Sequence, residues 1–177
     1  MKFFSTVLVL SLVATSIAEP IAKAKRALAD YEAVIQSVSD QVAVVKTTVG
    51  NYATGSVDGA AVQDASDDLV AVINKGTTTV NGLAALTSIQ ALGLVTPIQD
   101  LADAVGTLID DLIAAKPDFV ADGLDDDVLA SLQEQKTASQ ALADAISAKV
   151  PAALQEIADE LSSQIITEIQ RGIDAYS

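Results

Sequence analysis

Carboxylates are the only abundant reactive groups in this sequence: 24 Asp and Glu stand against 10 Lys and Arg, with no His, Cys or Trp. They are densest in "DFVADGLDDDVL", positions 118–129. Asp118, Asp122 and Gly123 match the first, fifth and sixth positions of an EF-hand calcium loop, but Val120 and Leu129 stand where its third and twelfth positions need oxygen ligands. The stretch therefore reads as acids at the start of a helix, where the macrodipole favours negative charge. Paired carboxylates could also cleave glycosides. That chemistry wants an aromatic-lined sugar cleft, and beyond residue 26 the aromatic residues are only Tyr31, Tyr52, Phe119 and Tyr176. Triads built on His or Cys are excluded, as are di-iron sites built on Glu-x-x-His. Neither Ser-x-x-Lys nor Gly-x-Ser-x-Gly occurs, nor a phosphate-cradling Gly-x-x-x-x-Gly-Lys loop. The expectation is a non-enzyme without metal or cofactor; a small hydrolase using only Ser and carboxylates is the enzymatic alternative.

What remains is apolar periodicity. In "PIQDLADAVGTLIDDLIAAK" (97–116), Ile98, Leu101, Val105, Leu108, Ile109, Leu112 and Ile113 recur at steps of three and four, one side of an α-helix. Four more stripes share this spacing. The first, Leu28 to Tyr52, runs through Tyr31, Ile35, Val38, Val42, Val45 and Val49 as a heptad seam. The second starts near Asp58 and ends near Leu83; its "GTTTVNG" stretch predicts fraying or a bend. The third helix starts either at Pro97, behind a Thr96–Gln99 capping box, or at Ser88 with a kink at Pro97, and Pro117 stops it. A fourth follows Asp125–Asp127 through Leu124, Val128, Leu132, Leu142 and Ile146. The fifth opens at Pro151 and carries Leu154, Ile157, Leu161, Ile165, Ile169, Ile173 and Tyr176. No segment reads as a strand. The fold class is all-α, a single-domain bundle of about five long amphipathic helices.

Residues 1–18 read as a secretory signal: Lys2, an apolar run from Phe3 to Val13, then Ser16-Ile17-Ala18 at a cleavage site. Glu19 and Pro20 interrupt the run before the ~20 apolar residues of a membrane span accumulate. Lys25-Arg26 reads as the dibasic end of a propeptide over 19–26, since such a pair is a poor helix start. The mature domain is then 27–177, with no transmembrane segment expected in it. Losing Lys2, Lys23, Lys25, Arg26 and Glu19 takes the net charge from −14 to −17. Such a surface repels nucleic-acid phosphates and anionic headgroups. Asn51, Asn74 and Asn81 lack the N-glycosylation context, and Ser177 follows no apolar tail, so a secreted, extracellular product is expected. Without cysteines, its stability must come from packing alone.

The stretch "ASQALADAISAKVPAALQEIADELSSQIITEIQRGIDAY", together with the signal, the dibasic pair and the His-free Ala/Asp/Leu-rich helices, resembles the fungal hydrophobic surface binding protein A, or cell-wall galactomannoprotein, family. "AKVP" and Gly172-Ile173-Asp174-Ala175-Tyr176 carry it most specifically. The resemblance implies a non-catalytic extracellular protein that adsorbs to hydrophobic surfaces and recruits a polyester-degrading hydrolase. In some relatives it implies fatty acids held inside a five-helix bundle. Cell-wall members often add a Ser/Thr-rich stalk and anchor signal; neither is expected here, which favours the secreted type.

Two functions follow. One is adsorption to a hydrophobic surface. Residues 76–99 carry no charge, which singles out Val80, Leu83, Leu86, Leu92, Leu94 and Val95 as contacts. The other is a carrier of fatty acids or other lipids. With aromatics at 3% of the chain, long helices of small residues leave axial voids that accept apolar guests. Leu101, Val105, Leu108 and Leu112, with Leu161 and Ile165 on the last helix, would line them. A 14-methylene chain would contribute on the order of 11 kcal/mol gross at ~0.8 per CH₂. Either way each stripe also reads as ordinary core. Aspartate at Leu83 or Leu94 is expected to weaken adsorption while leaving helicity intact.

Overall fold

The computed structural model describes the backbone of residues 18–177 and the side chains of residues 27–177. The proposed signal peptide lies almost wholly outside the described residues. Five long helices and one short one account for nearly all of the described chain: α1 (Ala18–Ala53), α2 (Gly59–Gly82), α3 (Ser88–Gly93), α4 (Val95–Asp122), α5 (Asp125–Ser147) and α6 (Gln155–Tyr176). The fold is an all-α bundle.

The punctuation is local chemistry. Gly55, at φ 72°, takes the left-handed turn after α1. Asp58 caps α2 by accepting from the Ala61 N–H at 3.1 Å. Gly123, at φ 70°, ends α4, and Asp125, Asp126 and Asp127 fill the first turn of α5. Among the described residues no cluster of three or more acids converges to hold a metal ion.

The last helix begins at Gln155, after a 3-10 turn over Ala152–Leu154, and not at Pro151; four further boundaries differ from the sequence expectation. First, α1 extends back to Ala18, so the backbone of Lys25 and Arg26 is helical. Second, α2 shows no break at "GTTTVNG". Thr77, Thr78 and Thr79 each donate to the carbonyl four residues back, while Gly76 lets α1 approach. A Cβ built at Gly76 would meet Val34 Cγ1 at 2.9 Å. Third, of the two expected starts the structure takes Ser88, opened by a capping box of Thr87 and Gln90 in place of Thr96 and Gln99. The helix breaks at Leu94, not at Pro97, and resumes as α4. Fourth, α4 runs through Pro117. Proline removes one backbone donor, but the turn beyond it seats Phe119, stacked on Tyr52 at a centroid distance of 4.3 Å. Tertiary packing outweighs the local preference.

Each long helix packs on two neighbours, in the closed order α1–α2–α5–α6–α4 and back to α1. The heptad seam of α1 stays within the chain: Tyr31, Ile35, Val38, Val42, Val45, Val49 and Tyr52 are all buried. A ring of five has a consequence that a bundle of four lacks. With neighbouring axes ~10 Å apart, the central line lies about 8.5 Å from every helix axis, against about 7 Å for four. Leu and Ile fill most of that extra distance, and where Val, Ala or Ser faces the axis it is not filled.

Candidate functional site

That shortfall appears as a cavity of about 60 Å³ along the ring axis, walled by all five long helices. From α1 come Ile35, Val38 and Val42; from α2, Leu69 and Ile73; from α4, Leu101, Val105 and Leu108 among others. The α5–α6 side differs. It contributes Ile165 and Ile169, but also Gln135, Ser139, Ala143 and Ser162. Outside this wall lies a polar groove that shares Ala143, Ser162 and Ile166 with the cavity lining. Two polar clasps bracket that stretch. Lys136 Nζ donates to Gln170 Oε1 at one end, and Ser147 Oγ donates to Asp159 Oδ1 at 2.7 Å at the other.

The α3 end is built differently. Lys149 Nζ donates to the carbonyls of Asn81 (3.0 Å) and Leu83 (2.8 Å), satisfying the last turn of α2. Tyr31 Oη donates to the Ala84 carbonyl at 2.9 Å, and the Leu86 N–H to the Lys149 carbonyl at 2.8 Å. On this scaffold α3 holds Ile89 at 84% and Leu92 at 53% exposure, with Ile157 also exposed. Leu92 and Ile157 border one apolar groove with Leu94, Val95 and Leu161.

At the opposite end the aromatics gather. Tyr52 stacks on Phe119, which meets Tyr176 edge-on, and Lys116 Nζ lies 5.4 Å from the Tyr176 ring centroid. Tyr176 Oη donates to the Leu112 carbonyl at 2.6 Å and Tyr52 Oη to Asp122 at 2.8 Å. The Tyr52 phenol is pushed up to about 12, first by burial, then by Asp122, with a smaller push from Asp118. Burial raises Tyr176 and Tyr31 as well. Arg171 joins α6 to α4 through Asp110, and Glu168, one turn earlier on α6, braces the same guanidinium.

The expected contact residues thus fall into separate places. Leu101, Val105, Leu108 and Ile165 meet around the axial cavity, whereas Leu112 borders a second pocket. Leu92, Leu94, Val95 and Leu161 meet at the α3 groove. Val80 and Leu86 are buried core and Leu83 is half-buried. Leu94, at 2% exposure, corrects one expectation: aspartate there would bury an unpaired charge and break the fold, whereas Ile89 and Leu92 are the free positions. Ile157, placed in the α6 stripe by spacing, instead faces solvent. Sequence reading missed Gln135, Ser139 and Ser162. Their signal was present, because Ser131, Gln135 and Ser139 interrupt the apolar register of α5 where core residues belong.

Residues 88–122 have the length and mean hydropathy of a membrane span, but the break at Leu94 divides them, and the apolar stripe of α4 packs on α1 and α6.

A closed ring of amphipathic helices around an apolar axial cavity defines the class: a helical-bundle protein with an internal hydrophobic compartment. The chain belongs to the hydrophobic surface binding protein A family, whose profile matches residues 28–148. It is 46% identical over 143 residues to cell wall mannoprotein 1 of Aspergillus fumigatus, covering 81% of this chain and 50% of that protein. The chain thus spans about half the length of that curated relative. Its fold matches ligand binding domain 1 of the Penicillium marneffei MP1 protein, solved with arachidonic acids, at a TM-score of 0.81 and 27% identity. That match covers 85% of this chain and 99% of the other. Ligand binding domain 2 of the same protein, solved with multiple arachidonic acids, matches at a TM-score of 0.79 and 30% identity, covering 84% and 95%.

Proposed function

We propose that this protein is a non-catalytic extracellular or cell-wall carrier that holds the acyl chain of a fatty-acid-like ligand along the axis of its helical ring. The carrying observation is the axial cavity, walled by apolar side chains from every long helix. The arachidonic acids solved with domains of the same fold at 27% and 30% identity support the ligand class. At about 60 Å³ the cavity is smaller than the ~150 Å³ void that admits benzene. Loading must therefore widen the ring. The seam between α5 and α6 is the place to widen it, because small and polar residues separate the cavity from the groove outside. Saturable binding of a fluorescent fatty acid at one or a few per chain, with retained lipid in native mass spectra, is the expected result. Purified protein that takes up no acyl chain overturns the reading.

A second reading, adsorption to a hydrophobic solid, rests on Ile89, Leu92 and Ile157, three large apolar side chains exposed at the α3 end beside a charge-free segment. Ile89→Ser with Leu92→Ser should lower adsorption to wax or plastic without loss of helicity; unchanged adsorption removes this contact site. Recruitment of a secreted hydrolase to such a surface belongs with this reading, and co-adsorption with a polyester-degrading enzyme tests it. We further propose secretion, with cleavage after Ala18 and after Lys25-Arg26. Amino-terminal sequencing of secreted material should begin at Ala27. Because the backbone at the dibasic pair is helical, the protease must act before folding or on a frayed amino-terminal end of α1.

A further inference from the structure

Two polar residues of the core make no side-chain hydrogen bond within the protein. Gln135 is 5% exposed, and its carboxamide hydrogen-bonds to nothing in the protein. Its polar atoms face open space instead. It is also the one residue shared by the axial cavity and a second, larger pocket of about 310 Å³, where α2 and α5 begin. Ser66, at 6% exposure, lines that pocket and is likewise without a partner. Two other polar side chains there are engaged: Ser131 Oγ donates to Gln63 Oε1 at 3.2 Å, and Gln63 Nε2 to Asp67 Oδ1 at 3.0 Å. Apolar walls come from Leu112, Phe119, Val128 and Leu132.

No side-chain polar atom among the described residues is both buried and unbonded, so the Gln135 and Ser66 groups are reached from the pocket, where a bound molecule takes up the hydrogen bonds that water otherwise makes. Two donors and an acceptor on Gln135, with a hydroxyl on Ser66, suit a group that both donates and accepts. Charge narrows the class. Asp64 and Asp127 belong to the lining and no Lys or Arg does, so an anionic head would meet like charge without compensation. The volume equals that of about ten liquid waters at ~30 Å³ each, room for a glycerol-sized head.

We propose that this pocket binds the uncharged, hydroxyl-bearing head of a single-chain amphiphile, a fatty alcohol or monoacylglycerol. Gln135 and Ser66 hydrogen-bond the head, and Gln135 stands at the junction where the tail passes into the axial cavity. The inference rests on the reading that the axial cavity takes acyl chains. It makes Gln135 the residue that discriminates between heads rather than between tails.

The test is displacement of a fluorescent acyl probe from the full chain by decane, decanol, monodecanoylglycerol and, at mildly alkaline pH, decanoate. Gln135→Leu keeps the volume and removes the amide. It should weaken decanol and monodecanoylglycerol about tenfold, the scale of one lost buried hydrogen bond, and leave decane unchanged. Ala60→Trp, at an exposed position on the pocket lining, should weaken the same two ligands from the outside without touching the core. Equal losses for decane and decanol in Gln135→Leu would make the residue merely structural and overturn the proposal. Decanoate weakened as much as decanol would overturn the uncharged class. Wild-type protein that takes decane in preference to decanol removes the head site and leaves the acyl reading standing; protein that takes neither removes both.

Discussion

The α1–α2 and α5–α6 interfaces are both antiparallel contacts between long helices of one ring, yet they are built in opposite ways. Between α1 and α2 the seam is Val and Ile on one side and, on the other, Gly76, which lets the helices touch so closely that an added Cβ would lie 2.9 Å from Val34. Between α5 and α6 the seam carries Ser139, Ala143 and Ser162, a polar groove lies outside it, and two side-chain clasps hold its ends. The first interface is closed by shape along its length; the second packs closely where Gly172 meets Leu132, but its Ser139–Ser162 stretch is held mainly by hydrogen bonds. Shape complementarity resists opening at every point along the contact, whereas exposed polar clasps contribute little each and release singly.

The sharpest way to break this comparison is to add volume to both seams. Gly76→Leu should force α1 and α2 apart and destabilise by about 3 kcal/mol or more, read as a lowered midpoint in chemical denaturation. An unchanged midpoint would mean that the α1–α2 contact is as yielding as the other. Ala143→Leu fills the α5–α6 window instead, where the position is only half-buried. Its stability should stay within about 1 kcal/mol of wild type. Fatty-acid affinity should fall about tenfold, equivalent to ~1.4 kcal/mol, because the space the chain must widen is occupied. Undiminished binding would move the entrance elsewhere on the ring.

How much of this was legible beforehand follows the same division. The α1 stripe could be read from spacing alone because the whole seam is apolar, and every member from Tyr31 to Tyr52 is buried. The order of helices round the ring could not, since periodicity fixes which face is buried but not against what. Pro117 misled because its local preference was overruled by where Phe119 must go. Thr96-Pro97 misled because Thr87 with Gln90 offered a second box of the same form nine residues earlier, and spacing does not rank the two. The functional wall was the least legible part. A search for reactive or apolar residues passes over Gln135, Ser139 and Ser162, whose meaning comes only from sitting where an apolar residue is due.

The aromatic end tests whether the ring is held shut from the far side. Tyr52, Phe119 and Tyr176 tie α1, α4 and α6 together, and the Tyr52 hydroxyl donates to Asp122. The folded phenol titrates near 12 against 10.0 unperturbed, so its contribution is intact below pH 10 and drains away as pH rises towards 12. Tyr52→Phe should lower stability at neutral pH by about 1 kcal/mol and flatten the fall over that alkaline window. A variant with the wild-type alkaline slope would place the titration elsewhere, with Tyr176 next in line.

The smallest expected change in stability is the most informative for function. Ser147→Ala removes the clasp to Asp159, an exposed hydrogen bond, and should shift the folding midpoint by no more than a few tenths of a kcal/mol. If the α5–α6 seam is the part that opens, the same change should speed fatty-acid exchange severalfold, because opening then breaks one bond fewer. Stopped-flow release of a fluorescent fatty acid reads this directly. The comparison demands that rate and stability part company here, while at Gly76 they move together. A Ser147→Ala protein whose release rate matches wild type would show that the clasps are surface decoration and that loading proceeds by some other separation of the helices.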